Sequence, residues 1–418
     1  MIKKQLLLKE EISILGGNSI NKQAVANFCE YLRINTIHPD PDYSKAVEFL
    51  HEQAEQLKLE FYVYEIVPNN PIVYMKWNGM DKSLKSIVLN SHMDVVPVFP
   101  DKWKYPPFSA YIDELGNIYA RGAQDMKCVG SQYLEAIRKI KTKSPTYVPE
   151  RNIIVLFVPD EEVGGKKGME LLVETDIFRL MNIGLVMDEG LANPTNSFSA
   201  FYGDRVAWWI KVHISGNTGH GSQFIDNSAG VKMHRILTKF MNLRLAEELR
   251  MKENNLTIGD VTTVNLTGTT GGVQHNVVPS PFTLDFDIRI TPKTDLSNFK
   301  NMLNSWAEEV GGGIEYEFIQ YAPSAYLTAT DATNKWWETF ESVCQSRNME
   351  IIPQIFPAGT DSRFVRSKGI SAIGFSPINN TPILLHDHNE FLNVDVFLCG
   401  IEFYEDLILA LARVEEDL

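Results

Sequence analysis

NIIVLFVPDEE, residues 152–162, is an apolar run that closes on three consecutive acids. A strand with one wet face alternates polar and apolar residues, whereas a strand covered on both faces is apolar at successive positions. The stretch therefore reads as a strand inside a sheet flanked by helices. IGLVMDEG at 183–190 repeats the form, and KSIVLNSHMD at 85–94 ends on a histidine and an aspartate. EFYVYEIV at 60–67 and IVYMKW at 72–77 are further strands, rich in β-branched and aromatic residues. Segments of helical period surround these runs at 21–33, 43–58, 129–142 and 168–181. Strands alternating with helices imply an α/β sandwich with a mostly parallel sheet.

Near residue 200 the pattern changes. FYGDRVAWWIKVHISG (201–216) alternates like a half-buried strand, and a polar, glycine-rich loop, GNTGHGSQF, follows at 216–224. A helix over about 226–252, strands at 257–268 and 281–290, a helix at 296–311 and a strand at 314–320 complete the order β-α-β-β-α-β. That order is a split βαβ, ferredoxin-like module able to stand alone. Beyond it the α/β character returns with a helix over about 331–348, a strand near 350–356, a helix from 361, the apolar SAIGFSP and a closing helix over about 394–414. The expected organisation is a catalytic domain in two parts, 1–199 and 321–418, interrupted by an inserted α+β domain at 200–320.

At 418 residues the chain exceeds one ordinary hydrophobic core. A net charge of -14 argues against a nucleic-acid binder, whose affinity comes from clustered Lys and Arg. The four cysteines (Cys29, Cys128, Cys344, Cys399) form no C-x-x-C pair and read as free buried thiols of a reducing compartment. The opening MIKKQLLLKEEISILGG is basic and briefly apolar, but Glu10 and Glu11 interrupt it, against the form of a signal peptide. No run reaches the ~18 apolar residues of a membrane span. A cytoplasmic protein is expected.

Five candidate metal ligands lie in compact polar segments far apart in sequence: His92, Asp125, Glu162, Glu189 and His386. Three stations fall at carboxyl ends of expected strands, where ligands gather in open α/β sheets. His92 and Asp94 form H-x-D; residues two apart on an extended segment share a face, so Asp94 can bond the second imidazole nitrogen. Asp125 alone suits a helix cap, and adjacent acids such as Glu161 and Glu162 are usually solvated. His38, His51, His213, His234 and His275 have no acidic cluster beside them in sequence and read as ordinary histidines. Taken together, two histidines and several carboxylates at successive strand ends fit a co-catalytic zinc site, with cobalt or manganese also admitted by the N/O donors.

These segments carry a family resemblance. NSHMDVVPVF (90–99), IYARGAQDMKCV (118–129), FVPDEEVGG (157–165), MDEGLANPT (187–195), GGVQHNVVP (271–279) and GFSPINNTPILLHDHNE (374–390) resemble the aminoacylase-1 family. These are zinc-dependent N-acyl-L-amino-acid amidohydrolases among the co-catalytic metallopeptidases. The similarity runs from about FCEYLRINTIHPDPDY (28–43) to the C-terminal helix, leaving about twenty N-terminal residues without a counterpart.

The resemblance implies two zinc ions per subunit: one on His92 and Glu189, one on Glu162 and His386, bridged by Asp125. It also implies an orienting Asp94, a general base Glu161 and a cis peptide between Asp125 and Met126. His220 of GHGS, and Asn276, would reach the active site of a partner subunit in a homodimer formed through the inserted lid domain. Arg289, Thr360 and Arg363 would read the substrate carboxylate. The implied reaction releases a carboxylate and a free L-amino acid. A related di-zinc dipeptidase or carboxypeptidase, net synthesis by the reverse reaction, and a non-catalytic binding protein on the same fold are the competing readings.

Overall fold

The computed structural model describes residues 19–415, so the N-terminal segment weighed above lies outside the described residues. The chain divides into two compact units. One comprises the residues up to Tyr202 with Thr328–Pro353 and Thr360–Leu418; the other comprises Gly203–Leu327 with Gln354–Gly359.

The larger sheet runs in the order Glu60–Val67, Asn70–Trp77, Ile153–Val158, Ser86–His92, Ile183–Asp188, Ser371–Phe375, Phe198–Asp204 and Ile351–Phe356. Ile153, Val155 and Phe157 join one apolar cluster, with Phe28, Tyr133 and Phe397 from the helices Ser19–Leu32, Lys127–Lys143 and Val394–Leu411. Ile154, Leu156 and Val158 join a second cluster with Met169, Leu172 and Phe178. Burial on both faces explains why this run does not alternate, and each large apolar side chain so buried contributes about 1.5–3 kcal/mol.

The sheet is mixed rather than mostly parallel. Its central strands pair in parallel: Ile153–Val158 with Ser86–His92, that strand with Ile183–Asp188, and that one with Ser371–Phe375. Glu60–Val67 and Asn70–Trp77 pair antiparallel, as does Asn70–Trp77 with Ile153–Val158. The first pair is joined by Pro68 and Asn69 alone, with Asn69 at φ 62°, and so short a link can only fold the chain back antiparallel. Two further expectations need correction. The helix expected over 168–181 is two short helices, Met169–Leu172 and Asp176–Leu180, because Thr175 caps the second by accepting the Phe178 N–H at 3.1 Å. The single strand expected over 201–216 is two, Phe198–Asp204 and Val206–Ile214.

A small sheet missed by the sequence reading consists of Tyr111–Ile112, Asn117–Tyr119 and Phe391–Asn393. It matters for the site because it sets the segments leading to Asp125 and away from His386 side by side; the Ala120 N–H donates to the Glu390 carbonyl at 3.1 Å.

In the second unit, the strands order as Thr263–Gly271, Phe282–Ile290, Val206–Ile214 and Ile314–Gln320, all antiparallel. Helices Ala229–Glu253 and Leu296–Glu309 supply Phe240 and Leu303 to a core built on Trp208, Phe286 and Ile288. This is the β-α-β-β-α-β module. Among the described residues no helix is long and apolar enough to cross a membrane. Cys29, Cys128 and Cys344 are buried and Cys399 is exposed, none of them in a disulfide among the described residues.

Candidate metal centre

Strand geometry delivers the first ligand candidates. His92 closes the strand Ser86–His92, Glu189 follows Ile183–Asp188, and Glu161 and Glu162 open a single tight turn, Glu161–Val163, just beyond Ile153–Val158. Asp125 stands immediately before the helix Lys127–Lys143, and the Asp125–Met126 peptide is cis. His386 comes from the loop between Ser371–Phe375 and Phe391–Asn393, at φ 60°.

These residues converge. The Asp125 carboxylate lies between two imidazoles: Oδ1 is 3.0 Å from His92 Nε2, and Oδ2 is 3.3 Å from His386 Nε2. Glu162 Oε2 is 2.9 Å from His386 Nε2, and Glu189 Oε2 is 3.8 Å from His92 Nε2. Ligand atoms of His92, Glu161 and Glu189 lie within 4.8 Å of one another, as do those of His92, Asp125 and Glu162. A metal fits here on the chemistry of the donors and on one orphan. Glu162 Oε1 is buried with no hydrogen-bond partner, although a carboxylate oxygen in that position ordinarily has one. Imidazole nitrogen and carboxylate oxygen suit borderline divalent cations.

The electrostatics agree. Burial opposes charge on His92, yet Asp125, Asp94 and Glu189 hold its imidazole well above its ordinary pKa. Hydrogen bonds to Asp125 and Glu162 push His386 up to about 10. Burial raises Glu161 and Glu189 well above the carboxylate range and Glu162 to about 7. Burial also works against the Asp125 carboxylate, but His386 and His92 hold its pKa below the usual value. These shifts mark a dense cluster of carboxylates around two imidazoles, whose charge divalent cations would balance.

Supporting contacts explain residues to which the sequence reading gave no role. Glu390 lies at the end of LLHDHNE, yet its buried carboxylate organises the Asp125 loop. It accepts from Arg121 Nη1 at 2.7 Å and from the N–H groups of Gln124 (2.6 Å), Gly122 and Asp125 (both 3.2 Å). The Gln124 side chain donates to the Phe391 and Pro382 carbonyls and accepts the Leu384 N–H. Lys127 is buried, and its ammonium donates to the Ile34 carbonyl at 2.7 Å.

Asp94 departs from its expected role. His92 Nδ1 donates to the Asp94 main-chain carbonyl at 2.9 Å, and the nearest carboxylate oxygen is 3.6 Å away. The tautomer of His92 is thus set by the backbone. The carboxylate instead accepts the N–H groups of Glu161 at 3.2 Å and Glu162 at 3.0 Å, and His38 Nε2 lies 2.8 Å from Oδ2. His38, read from sequence as an ordinary histidine, is therefore part of this cluster. No local sequence signal marks it, because its acidic partner is 56 positions away.

Of the expected substrate residues, Thr360 is buried, and Arg363 spends Nη1 on the Thr360 carbonyl (2.7 Å) and Nη2 on the Gly164 carbonyl (2.8 Å). Beside them Asp361 is buried with neither carboxylate oxygen hydrogen-bonded, and burial followed by Asp188 raises it to about 8. In the second unit, His220 and Asn276 meet on a two-stranded ribbon: His220 pairs with Val277, and the Gly221 N–H donates to the Asn276 carbonyl at 2.8 Å. His220 is exposed, and its Nδ1 accepts the Ser222 N–H at 3.2 Å, so Nε2 is the nitrogen left to face outward. Arg289 Nε and Nη2 grip the Asp287 carboxylate at 2.7 and 3.0 Å.

With this fold and this cluster in view, the chain belongs to Peptidase family M20/M25/M40, whose pattern matches residues 88–410. Within that family it is similar to aminoacylase-1 of Mus musculus, 47% identical over 392 residues that cover 94% of this chain and 96% of the relative. Aminoacylase-1 of Homo sapiens is 45% identical over the same shares of the two chains. The YXEP protein of Bacillus subtilis, described as a dinuclear metal binding peptidase, shares the fold at a TM-score of 0.69. It is 13% identical, and the match covers 95% of this chain and 99% of that one.

Proposed function

We propose that the chain is a metal-dependent hydrolase that cleaves N-acyl-L-amino acids to a carboxylate and a free L-amino acid. The observation that carries this reading is the Asp125 carboxylate held between His92 and His386, with Glu161 grouped beside His92. Near full-length similarity to aminoacylase-1 proteins supports the substrate class. Two zinc ions are the proposed occupants, one on His92 and Glu189 and one on Glu162 and His386, with Asp125 between them. When bound, such ions supply the charge that acidifies a water and polarises the acyl carbonyl.

Glu161 is the general base. Its carboxylate takes a proton from water and delivers it to the departing nitrogen. The second transfer is required because an amine anion leaves poorly. Asp94 holds the main chain of Glu161 and Glu162 in place. His220 Nε2–H is the proposed donor to the developing oxyanion, supplied across a homodimer by the other subunit; one such donor contributes about 3 kcal/mol. Asn276 is a proposed substrate-binding residue that, like His220, comes from the other subunit, and Arg289, Arg363 and Thr360 are the proposed readers of the free carboxylate. The donors of Arg289 not gripped by Asp287 suit that role, since a guanidinium fork matches a carboxylate. A reducing, cytoplasmic setting fits the free thiols.

The test is a panel of N-acetyl-Met, N-fatty-acyl-Gln and simple dipeptides offered to zinc-loaded protein. Turnover of an N-acyl amino acid above the dipeptides is expected; preference for dipeptides would replace this reading with a dipeptidase. Mixing His220→Ala with Glu161→Gln protein should restore part of the activity lost in each, and no recovery would place the whole site within one chain.

A further inference from the structure

We infer that His38 is a positioning residue for the reaction proposed above: its imidazole holds the Asp94 carboxylate and, through it, the main chain of Glu161 and Glu162. The short segment Thr36–His38 is zipped onto Met93–Val95. Thr36 Oγ1 donates to the Met93 carbonyl at 2.6 Å, the Val95 N–H to the Thr36 carbonyl at 3.1 Å, and the His38 N–H to the Val95 carbonyl at 3.1 Å. Ile37 and Val95 form a parallel bridge. The backbone of His38 is thereby fixed alongside the continuation of the His92 strand, and its ring, 10% exposed, turns inward to place Nε2 2.8 Å from Asp94 Oδ2.

The Asp94 carboxylate is fully buried. Its partners are the N–H groups of Glu161 and Glu162 and the ring of His38. His92 offers no substitute, because its Nδ1 is committed to the Asp94 main-chain carbonyl. Among the described residues, His38 makes the closest side-chain contact to this carboxylate, at 2.8 Å against 3.6 Å for His92 Nδ1. Without it, the carboxylate has only the two amides it is meant to fix, and it is free to rotate with the turn. That turn carries the proposed base on one residue and a proposed ligand on the next, so a small rotation displaces both together. A ring that merely filled space would have no reason to aim a nitrogen at a buried carboxylate.

The experiment compares His38→Leu, which keeps bulk without a donor, with His38→Gln, whose side-chain amide nitrogen reaches about as far as imidazole Nε2. Both are made in the full chain. Hydrogen–deuterium exchange at the Glu161 and Glu162 amides is followed with and without zinc, beside kcat and KM for an N-acyl amino acid. In His38→Leu these two amides should exchange faster and kcat should fall about tenfold or more at unchanged KM, the size expected for a partner one step removed from a metal site. Amides of the helix Ala229–Glu253 should not change, and His38→Gln should recover most of both losses. Wild-type exchange and kcat in His38→Leu would overturn the inference, as would equal impairment of the Leu and Gln variants, which would mark a space-filling role. Amide exchange is measurable even if the wild-type chain turns over no N-acyl amino acid, so failure of the reaction assignment does not blur this result.

Discussion

The two histidines on either side of Asp125 are held in opposite ways. His92 ends a strand, its side chain is 1% exposed, and a backbone carbonyl fixes its tautomer. His386 sits at positive φ on a loop, and its side chain is 55% exposed. Glu161 and Glu189 group with the buried imidazole, whereas Glu162, which also groups with His92 and Asp125, places Oε2 2.9 Å from the exposed one. One end of the cluster is therefore built into the sheet, and the other is laid over it by a loop. The buried end can hold a cation in rigid geometry, while the exposed end can adjust and admit ligand.

The sharpest test of that division separates two adjacent acids. Glu161→Gln should keep bound metal and lose about 10²–10⁴ in kcat, the usual contribution of a general acid–base group. Glu162→Gln should instead lose metal from the exposed end, with activity recovering at high metal concentration. Kinetics and metal content measured on the same samples decide it; near-normal turnover in Glu161→Gln would remove that residue from the base role.

A smaller effect distinguishes the histidines themselves. His92→Ala opens a dry hole beside Asp125 and Glu189, and retention of the ion at that end should fall more than about a hundredfold, beyond what removing a supporting residue costs. His386→Ala leaves a solvent-accessible position that water can fill, so one ion should remain bound. Metal content after dialysis against a weak chelator checks this. Equal losses in the two variants would show that the ends are not independent.

The buried end was the legible one. Residues 152–162 and 183–190 announce dry strands, and acids directly after a dry strand have few places to go but the crevice beyond its end. The mixed character of the sheet could also have been read, since two residues between 60–67 and 70–77 dictate an antiparallel return. At the exposed end His386 stood out as a candidate in the sequence, but only the resemblance paired it with Glu162. Nothing in the period of LLHDHNE reports that Glu390 would gather Arg121 and three backbone N–H groups from a loop some 265 positions earlier. His38 was lost for the same reason. Tertiary hydrogen bonds between distant loops leave no spacing in the sequence, whereas strand burial writes itself into consecutive residues.

The smallest predicted effect is a pH trend that the metal should abolish. In the metal-free chain His386 is raised to about 10 by its bonds to Asp125 and Glu162. Because its folded pKa lies above the unfolded one, its stabilisation is complete below the unfolded pKa of 6.5 and is lost as pH rises through about 10. Solvent screens much of that contribution at so exposed a side chain. Glu162 acts in the same direction: burial lifts it from 4.5 to about 7, so across that window the unfolded chain sheds a proton that the folded chain must keep or replace with a buried charge. Glu161 and Glu189 are raised in the same sense. Asp125 runs the other way, but its stabilisation is present above its unfolded value of 3.8 and is lost only in more acidic solution. The Tm of chelator-treated protein should therefore fall steadily between about pH 5 and pH 9. In zinc-loaded protein the cations take the place of those protons, and binding strengthens as the ligands deprotonate, so the decline should disappear or reverse. Melting curves with and without chelator across that range measure the difference. A chelated Tm that climbs with pH would mean that the carboxylates meet water rather than one another, and the buried end would not be dry.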